Sequence, residues 1–213
     1  MDIKDFPKLH SPFIRKTINN NYIVTPEIDE DYSWVFEDGV RAVDKLDGTN
    51  ICLRIEKGNI SRLFNRTNEK FILNVSQTRW EGAAMEGIAK AIQRGWLSGK
   101  DGDCYGELIG EIFNGNPHKV QGHLFVPFDY LRNKCHWHSW VDNKYPKTFE
   151  AISEWFEELP SLFNARLKLP DIKAEGLVFY HHDGRQAKLR RDMFDWYCEK
   201  DEHISSLEIS DRI

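Results

Sequence analysis

No stretch of this sequence approaches 18 consecutive apolar residues, so no membrane-spanning helix is predicted. The opening residues, from Met1 to Lys16, hold charges where a secretory signal would carry an apolar block. A soluble, cytoplasmic protein without a membrane partner is the expectation. Cysteine is scarce as well: Cys52, Cys104, Cys135 and Cys198 lie far apart, with no C-x-x-C pair. That spacing argues against a disulfide framework or a zinc ribbon. Cys135, His136 and His138 sit close together, but no second ligand pair stands at zinc spacing. Internal repeats, low-complexity runs and Gly/Ser/Pro linkers are also absent, so no internal domain boundary is read.

Basic excess is the last thing missing. The formal net charge of -5 weighs against a protein that coats nucleic acid by bulk electrostatics. It leaves room for an enzyme that grips a few phosphates in a local basic site. The acids gather mainly around residues 28–32 and 154–159, which read as solvated faces. What is plentiful is apolar and aromatic content, 40% and 13% of the 213 residues, enough for a substantial core.

The chain pattern predicts antiparallel strands with helices between hairpins, an α+β arrangement. Residues 40–43 run as a strand into the turn at Lys45. Ile51–Ile55 alternates, Lys57-Gly58-Asn59 turns, and Ile60–Phe64 returns. Between Gln77 and Trp96, Trp80, Ala83, Ala84, Ile88, Ala91 and Ile92 recur at helical spacing. Tyr105–Ile112 and Leu124–Leu131 read as strands, and Thr148–Phe156 as a second amphipathic helix. Leu177–Tyr180 and Ala187–Arg190 form a hairpin about His182–Arg185, and a turn or two of helix follows Asp192.

Several short strings carry chemistry. Asp44-Lys45-Leu46-Asp47-Gly48-Thr49-Asn50 delivers a lysine from a strand into a turn. A lysine attacks phosphorus only as the free amine, and its ordinary pKa of ~10.4 means that burial or nearby cations must help. Alone, K-x-D-G is more simply an exposed hairpin lysine. Arg66, after the first hairpin, offers a guanidinium for a phosphate or ribose. Glu107 and Glu175 each place one carboxylate in an apolar strand, where burial without a partner is expensive; a ligand hydroxyl or a metal would resolve that. Lys188 and Arg190 point to one face of an extended strand. Opposite Glu175 they make either a phosphate-plus-metal site or a surface salt bridge. Phe125 to Asp129 reads first as core.

Together these strings resemble covalent nucleotidyltransferases. Lys45–Gly48, Tyr105–Gly110, Phe125–Asp129, Glu175–Phe179 and Lys188–Arg190 follow the order of motifs I, III, IIIa, IV and V of the superfamily of DNA ligases, RNA ligases and capping enzymes. Gly48-Thr49-Asn50, and Glu107-Leu108-Ile109-Gly110 with Gly115-Asn116-Pro117 behind it, look like the ATP-dependent RNA ligase branch. The resemblance implies a nucleotidyltransferase domain of the ATP-grasp-like ligase type, with a nucleotide cleft between antiparallel sheets flanked by helices. Lys45 would become adenylylated by ATP. Asp44, Asp47, Gly48, Arg66, Glu107, Phe128, Lys188 and Arg190 would bind the nucleotide, with Glu107 on the ribose and Phe128, or Phe125 in its stead, on adenine. Glu175 would engage the lysine or a hydrated Mg2+ (or Mn2+), and Lys188 and Arg190 the α-phosphate. Asn50 and Arg66 would serve RNA. AMP would then pass to an RNA 5′-phosphate for sealing by a 3′-hydroxyl.

Two departures from the family pattern stand out. Arg190 replaces the second lysine of the usual K-x-K, and only about two dozen residues follow it. One domain is therefore expected over residues 1–213, without an OB-fold or other accessory domain, and with a homodimer or accessory protein as sources of RNA grip. The rival readings are a DNA ligase-type strand-sealing enzyme, a capping enzyme using GTP, and a nucleotide- or RNA-binding module that has lost chemistry.

Overall fold

The computed structural model describes residues 3–70, 79–142, 144 and 147–197. In chain order the strands are β1 (Phe13–Ile18), β2 (Asn21–Ile28), β3 (Arg41–Lys45), β4 (Thr49–Glu56), β5 (Asn59–Asn65), β6 (Asn68–Lys70), β7 (Gly102–Gly110), β8 (His123–Pro127), β9 (Gly176–Tyr180) and β10 (Gln186–Arg190). The α-helices are α1 (Arg79–Gln93), α2 (Phe128–Lys134), α3 (His138–Val141), α4 (Phe149–Glu157) and α5 (Leu162–Leu167). Every strand pairing among the described residues is antiparallel. No described helix is long and apolar enough to cross a membrane.

The chain forms two compact units, each assembled from separate stretches. One comprises residues 1–8, 46–136 and 161–172. Its sheet has the order β6-β5-β4-β7-β8. On β4, Ile51, Leu53 and Ile55 face the apolar stripe of α1, which supplies Ala83, Ala84, Ile88 and Ala91; Leu108 and Phe125 complete this core. The stripe is narrower than the spacing predicts, because Ile92 is exposed. Gln77 and Thr78, the start of the helix read from sequence, lie outside the described residues. Strand alternation turns Asn50, Cys52 and Arg54 to the opposite face. Cys52 lies fully buried there, and burial pushes its thiol up to about 12.

Glu86 ties α1 to β8. Its carboxylate accepts from Lys90 at 2.7 Å and from His123 Nδ1 at 2.6 Å, and these bonds, Lys90's first, hold it down to about 2 from an ordinary 4.5. A carboxylate depressed on folding stabilises the native state above its unfolded pKa; that contribution fades as pH falls from about 4.5 towards 2. The side chain is 41% exposed, so solvent screening limits the effect. Glu86→Gln is therefore expected to lower stability at pH 7 by only about 1 kcal/mol. Urea unfolding at pH 7 and near pH 2 should show the difference closing at the acid end.

The described residues of the other unit fall within 9–45, 137–160 and 173–197. It holds the β1-β2 hairpin and a three-stranded sheet of order β10-β9-β3. Ala42, Leu177, Phe179, Ala187 and Leu189 turn one face of that sheet into an aromatic-rich core with Trp34, Trp140, Phe156 and Phe194. The side chain of Thr148 caps α4 by accepting from the Ala151 N–H, the start that the sequence indicates.

One expected strand is corrected. Residues 124–131 do not continue as strand beyond Pro127; α2 begins at Phe128. Pro127 holds φ at -60° as the N-cap residue, and the seven residues after it carry Asp129 in the first turn and Arg132 and Lys134 in the last, the charge order a helix dipole favours. The strand expected over 105–112 likewise ends at Gly110 and starts earlier, at Gly102.

Candidate functional site

Lys45 is the last residue of β3, and Glu175 immediately precedes β9, its antiparallel neighbour. Lys45 Nζ donates to Glu175 Oε2 at 2.5 Å, joining residues 130 positions apart, and each side chain is about one-fifth exposed. The register explains the meeting. Lys45 and Arg190 both stand opposite Gly176, from the two strands that flank β9. Directly opposed residues of antiparallel strands project to one face, so the lysine and the arginine share the side away from the core. Gly176 between them has no room for a side chain: a Cβ would lie 2.2 Å from the Leu189 carbonyl oxygen.

Arg190 completes the cluster. Its guanidinium is 3.8 Å from Glu175 Oε1 and 2.8 Å from Asp192 Oδ2. Its Nε, shielded from water, has no hydrogen-bond partner among the described residues, an open donor suited to an anionic oxygen. Lys188, opposite Val178, lies two residues before Arg190 on the same face. Four expected site residues, Lys45, Glu175, Lys188 and Arg190, thus stand on or beside one small sheet. Asp44 does not join them. It is buried, 1% exposed, and alternation places it with Leu177 on the other face.

In the five-stranded unit, the sheet face away from α1 carries a second set. Asn50 on β4 pairs with Glu107 on β7. Both polar atoms of the Asn50 amide are shielded and lack partners among the described residues. Such a group costs roughly 1–3 kcal/mol unless something satisfies it. Phe128, half-buried, opens α2 beside this face, whereas Phe125 is fully buried in the core with Leu108. Of the two aromatics, only Phe128 can meet a ligand. Residues 3–8 run along the same face: the Lys4 carbonyl accepts from the Tyr105 hydroxyl at 2.7 Å, and the Phe6 ring lies 4.9 Å from Phe128 and 5.7 Å from Tyr105. Arg66, at a turn with φ 56°, is mostly exposed and meets Asp5 at 3.6 Å, so its guanidinium is only lightly held.

The turn after Lys45 belongs to this unit and is tightly held. Asn114 Nδ2 donates to Asp47 Oδ1 at 2.6 Å and to the Gly48 carbonyl at 3.2 Å. The Asp47 N–H donates to His118 Nε2 at 3.1 Å. A Cβ on Gly48 would fall 2.4 Å from the Leu108 carbonyl oxygen, so only glycine lets the turn lie this close to β7. Sequence reasoning missed Asn114 and His118. The one hint was Gly115-Asn116-Pro117, which marks a loop but not what the loop holds.

The donor set bears on a metal. Among the described residues, no cluster of three or more His, Cys, Asp or Glu could hold one unaided. A single carboxylate such as Glu175 fits a magnesium-like ion that arrives on nucleotide phosphates and keeps most of its water.

No protein-family model matches this sequence, and no curated protein matches it. Solved structures do. Naegleria gruberi RNA ligase with PPi aligns over 95% of this chain and 61% of its own, at TM-score 0.50 and 22% identity. A mutant of that ligase with ATP and Mn aligns over 90% and 62%, at TM-score 0.51 and 22% identity. Another mutant, with AMP and Mn, aligns over 93% and 60%, at TM-score 0.51 and 23% identity. The chain thus spans about three-fifths of the length of the ligase structures it matches. The motif order and the alignment over most of the chain agree on architecture: this chain has an RNA-ligase fold.

Proposed function

We propose that this chain is an ATP-dependent RNA ligase domain in which Lys45 attacks the α-phosphorus of ATP. The nitrogen–phosphorus bond forms as the bond to pyrophosphate breaks, and the amine proton leaves to a carboxylate or water. Lysyl-AMP then passes AMP to an RNA 5′-phosphate, releasing the lysine, and a 3′-hydroxyl displaces AMP to seal the strand. Each step is an in-line displacement governed by positioning and charge neutralisation.

The observation that carries this reading is the 2.5 Å pairing of Lys45 with Glu175, flanked by Arg190 on the sheet face away from the aromatic core. A structural salt bridge would serve as well on a surface, but it would not account for the shielded, unpartnered Nε of Arg190. Arg190 and Lys188 take the α-phosphate in this assignment. Glu107 takes the ribose, Phe128 stacks on adenine, and the open Asn50 amide and Arg66 serve the RNA end. Asp47 shapes the turn through Asn114. A divalent cation carried by the nucleotide would supply further charge neutralisation at the phosphates beside Glu175.

The test is incubation with ATP labelled at the α-phosphate and Mg2+ or Mn2+, followed by denaturing electrophoresis. A labelled band at 25 kDa is expected. GTP should not label, and a chase with 5′-phosphorylated RNA should discharge the label. Strand ends carrying RNA or DNA 3′-hydroxyls then separate RNA joining from DNA joining, since only the former can require the 2′-hydroxyl. A protein that takes no label with either cation is not a ligase of this kind.

A further inference from the structure

We propose that His118 is a positioning residue for the nucleophile: held by Asn164, it fixes the backbone of the turn that begins at Lys45. This inference rests on the reading that Lys45 is adenylylated. The geometry lies wholly within the five-stranded unit. His118 is 1% exposed and Asn164 fully buried. Their side chains meet at 3.0 Å through Nδ1 and Oδ1, 46 residues apart in sequence. The other ring nitrogen, Nε2, receives the Asp47 N–H, two residues beyond Lys45.

The surrounding donors decide how this histidine is used. The Asn164 amide nitrogen donates to the His118 carbonyl at 3.1 Å and to the Pro170 carbonyl at 2.8 Å, so its oxygen is the end that faces the ring. An oxygen there calls for a proton on Nδ1. A backbone N–H at Nε2 calls for a lone pair. Both demands are met by one neutral tautomer, and imidazolium would leave the Asp47 N–H without an acceptor. The ring is further fixed by Phe163, edge-on at 5.8 Å.

The loop that carries His118 is built to hold that position. Asn114, Asn116 and Lys119 all have positive φ, which non-glycine residues seldom adopt. Such conformations persist where surrounding contacts over-determine them. Here Asn116 bonds both ways to Val120, through its Nδ2 to the carbonyl at 2.8 Å and its Oδ1 from the N–H at 3.1 Å. At the far end, Ser161 Oγ accepts from the Asn164 N–H at 3.2 Å, securing the first turn of α5. A chain of fixed groups thus runs from α5 through the imidazole to the backbone beside the nucleophile.

Two replacements separate positioning from packing. His118→Gln places an amide oxygen near Nε2 and keeps the bond to Asp47; His118→Asn keeps the bond to Asn164 and loses Asp47. Single-turnover labelling with α-labelled ATP is the assay. Displacement of a reacting group by an ångström can slow a reaction by about a hundredfold. Accordingly, His118→Asn should label about 10- to 100-fold more slowly at saturating ATP, with the half-saturating concentration within about twofold of the parent, while His118→Gln stays within about threefold. Hydrogen exchange at the Asp47 amide should accelerate in His118→Asn and remain slow in His118→Gln. Thermal melts and circular dichroism correct each rate for the folded fraction. The inference is overturned if both variants, per folded molecule, label like the parent, or if the two lose rate equally in step with stability. An unlabelled parent protein would instead bring down the ligase reading, and this inference with it.

Discussion

Replacing Lys45 by alanine is expected to abolish the covalent AMP adduct, a loss on the order of 10⁴-fold or more in labelling rate, because alanine offers no lone pair to phosphorus. Lys45→Arg should fail equally, although it preserves the charge beside Glu175. A guanidinium is never deprotonated in proteins and offers no lone pair to phosphorus. That pair of outcomes distinguishes nucleophile from counter-ion: a lysine that merely balances Glu175 would tolerate arginine. Neither change should unfold the protein. Lys45 is 22% exposed, and after its removal Glu175 still has Arg190 at 3.8 Å. A stability loss of about 1–2 kcal/mol is the expected scale. Intact-mass spectrometry after incubation with ATP and Mg2+ provides the check. The parent should carry the added mass of one AMP, and both variants should remain unmodified.

Glu175→Ala should produce the second-largest effect, a loss of about 10²- to 10³-fold in labelling with the fold retained, as for other charged groups aimed at a reacting centre. Without the carboxylate, the Lys45 ammonium loses the group 2.5 Å from its nitrogen and with it a fixed direction. The two cations opposite Gly176 then lose the carboxylate they share, while Asp192 continues to hold one arm of Arg190. Glu175→Gln gives the finer result. It preserves size and one hydrogen-bond acceptor but removes charge, so a variant as slow as alanine would assign the effect to charge. Normal labelling by Glu175→Ala would overturn the assignment of Glu175 to the site, and normal labelling by Glu175→Gln alone would assign its effect to the hydrogen bond rather than to charge.

Part of the fold and of the candidate site was legible because it obeys short-range rules. Ile51, Leu53 and Ile55 alternate in sequence and line one core in space. Glu175, conspicuous in an apolar run, stands beside the lysine. Choosing between Phe125 and Phe128 needed the strand's end at Pro127, which sets one ring in the core and the other at the start of a helix. The β1-β2 hairpin went unread, although Asn19 and Asn20 both take the positive φ that a two-residue turn demands. Asparagine tolerates that region, but three successive asparagines blurred where the turn fell. The bonds from Asn114 and His118 to the Lys45 turn were beyond sequence periodicity altogether. They join loops 67 and 71 residues apart through single polar atoms, and no repeating pattern marks such contacts.

The segment of residues 3–8 bears on how this protein should be handled. Phe6 rests against Phe128 and Tyr105, and Asp5 reaches Arg66, all on the sheet face that carries Glu107. A purification handle fused ahead of Met1 would be tethered only five residues from Phe6. Cleaving such a handle, or moving it elsewhere, should come before nucleotide affinities are compared between preparations.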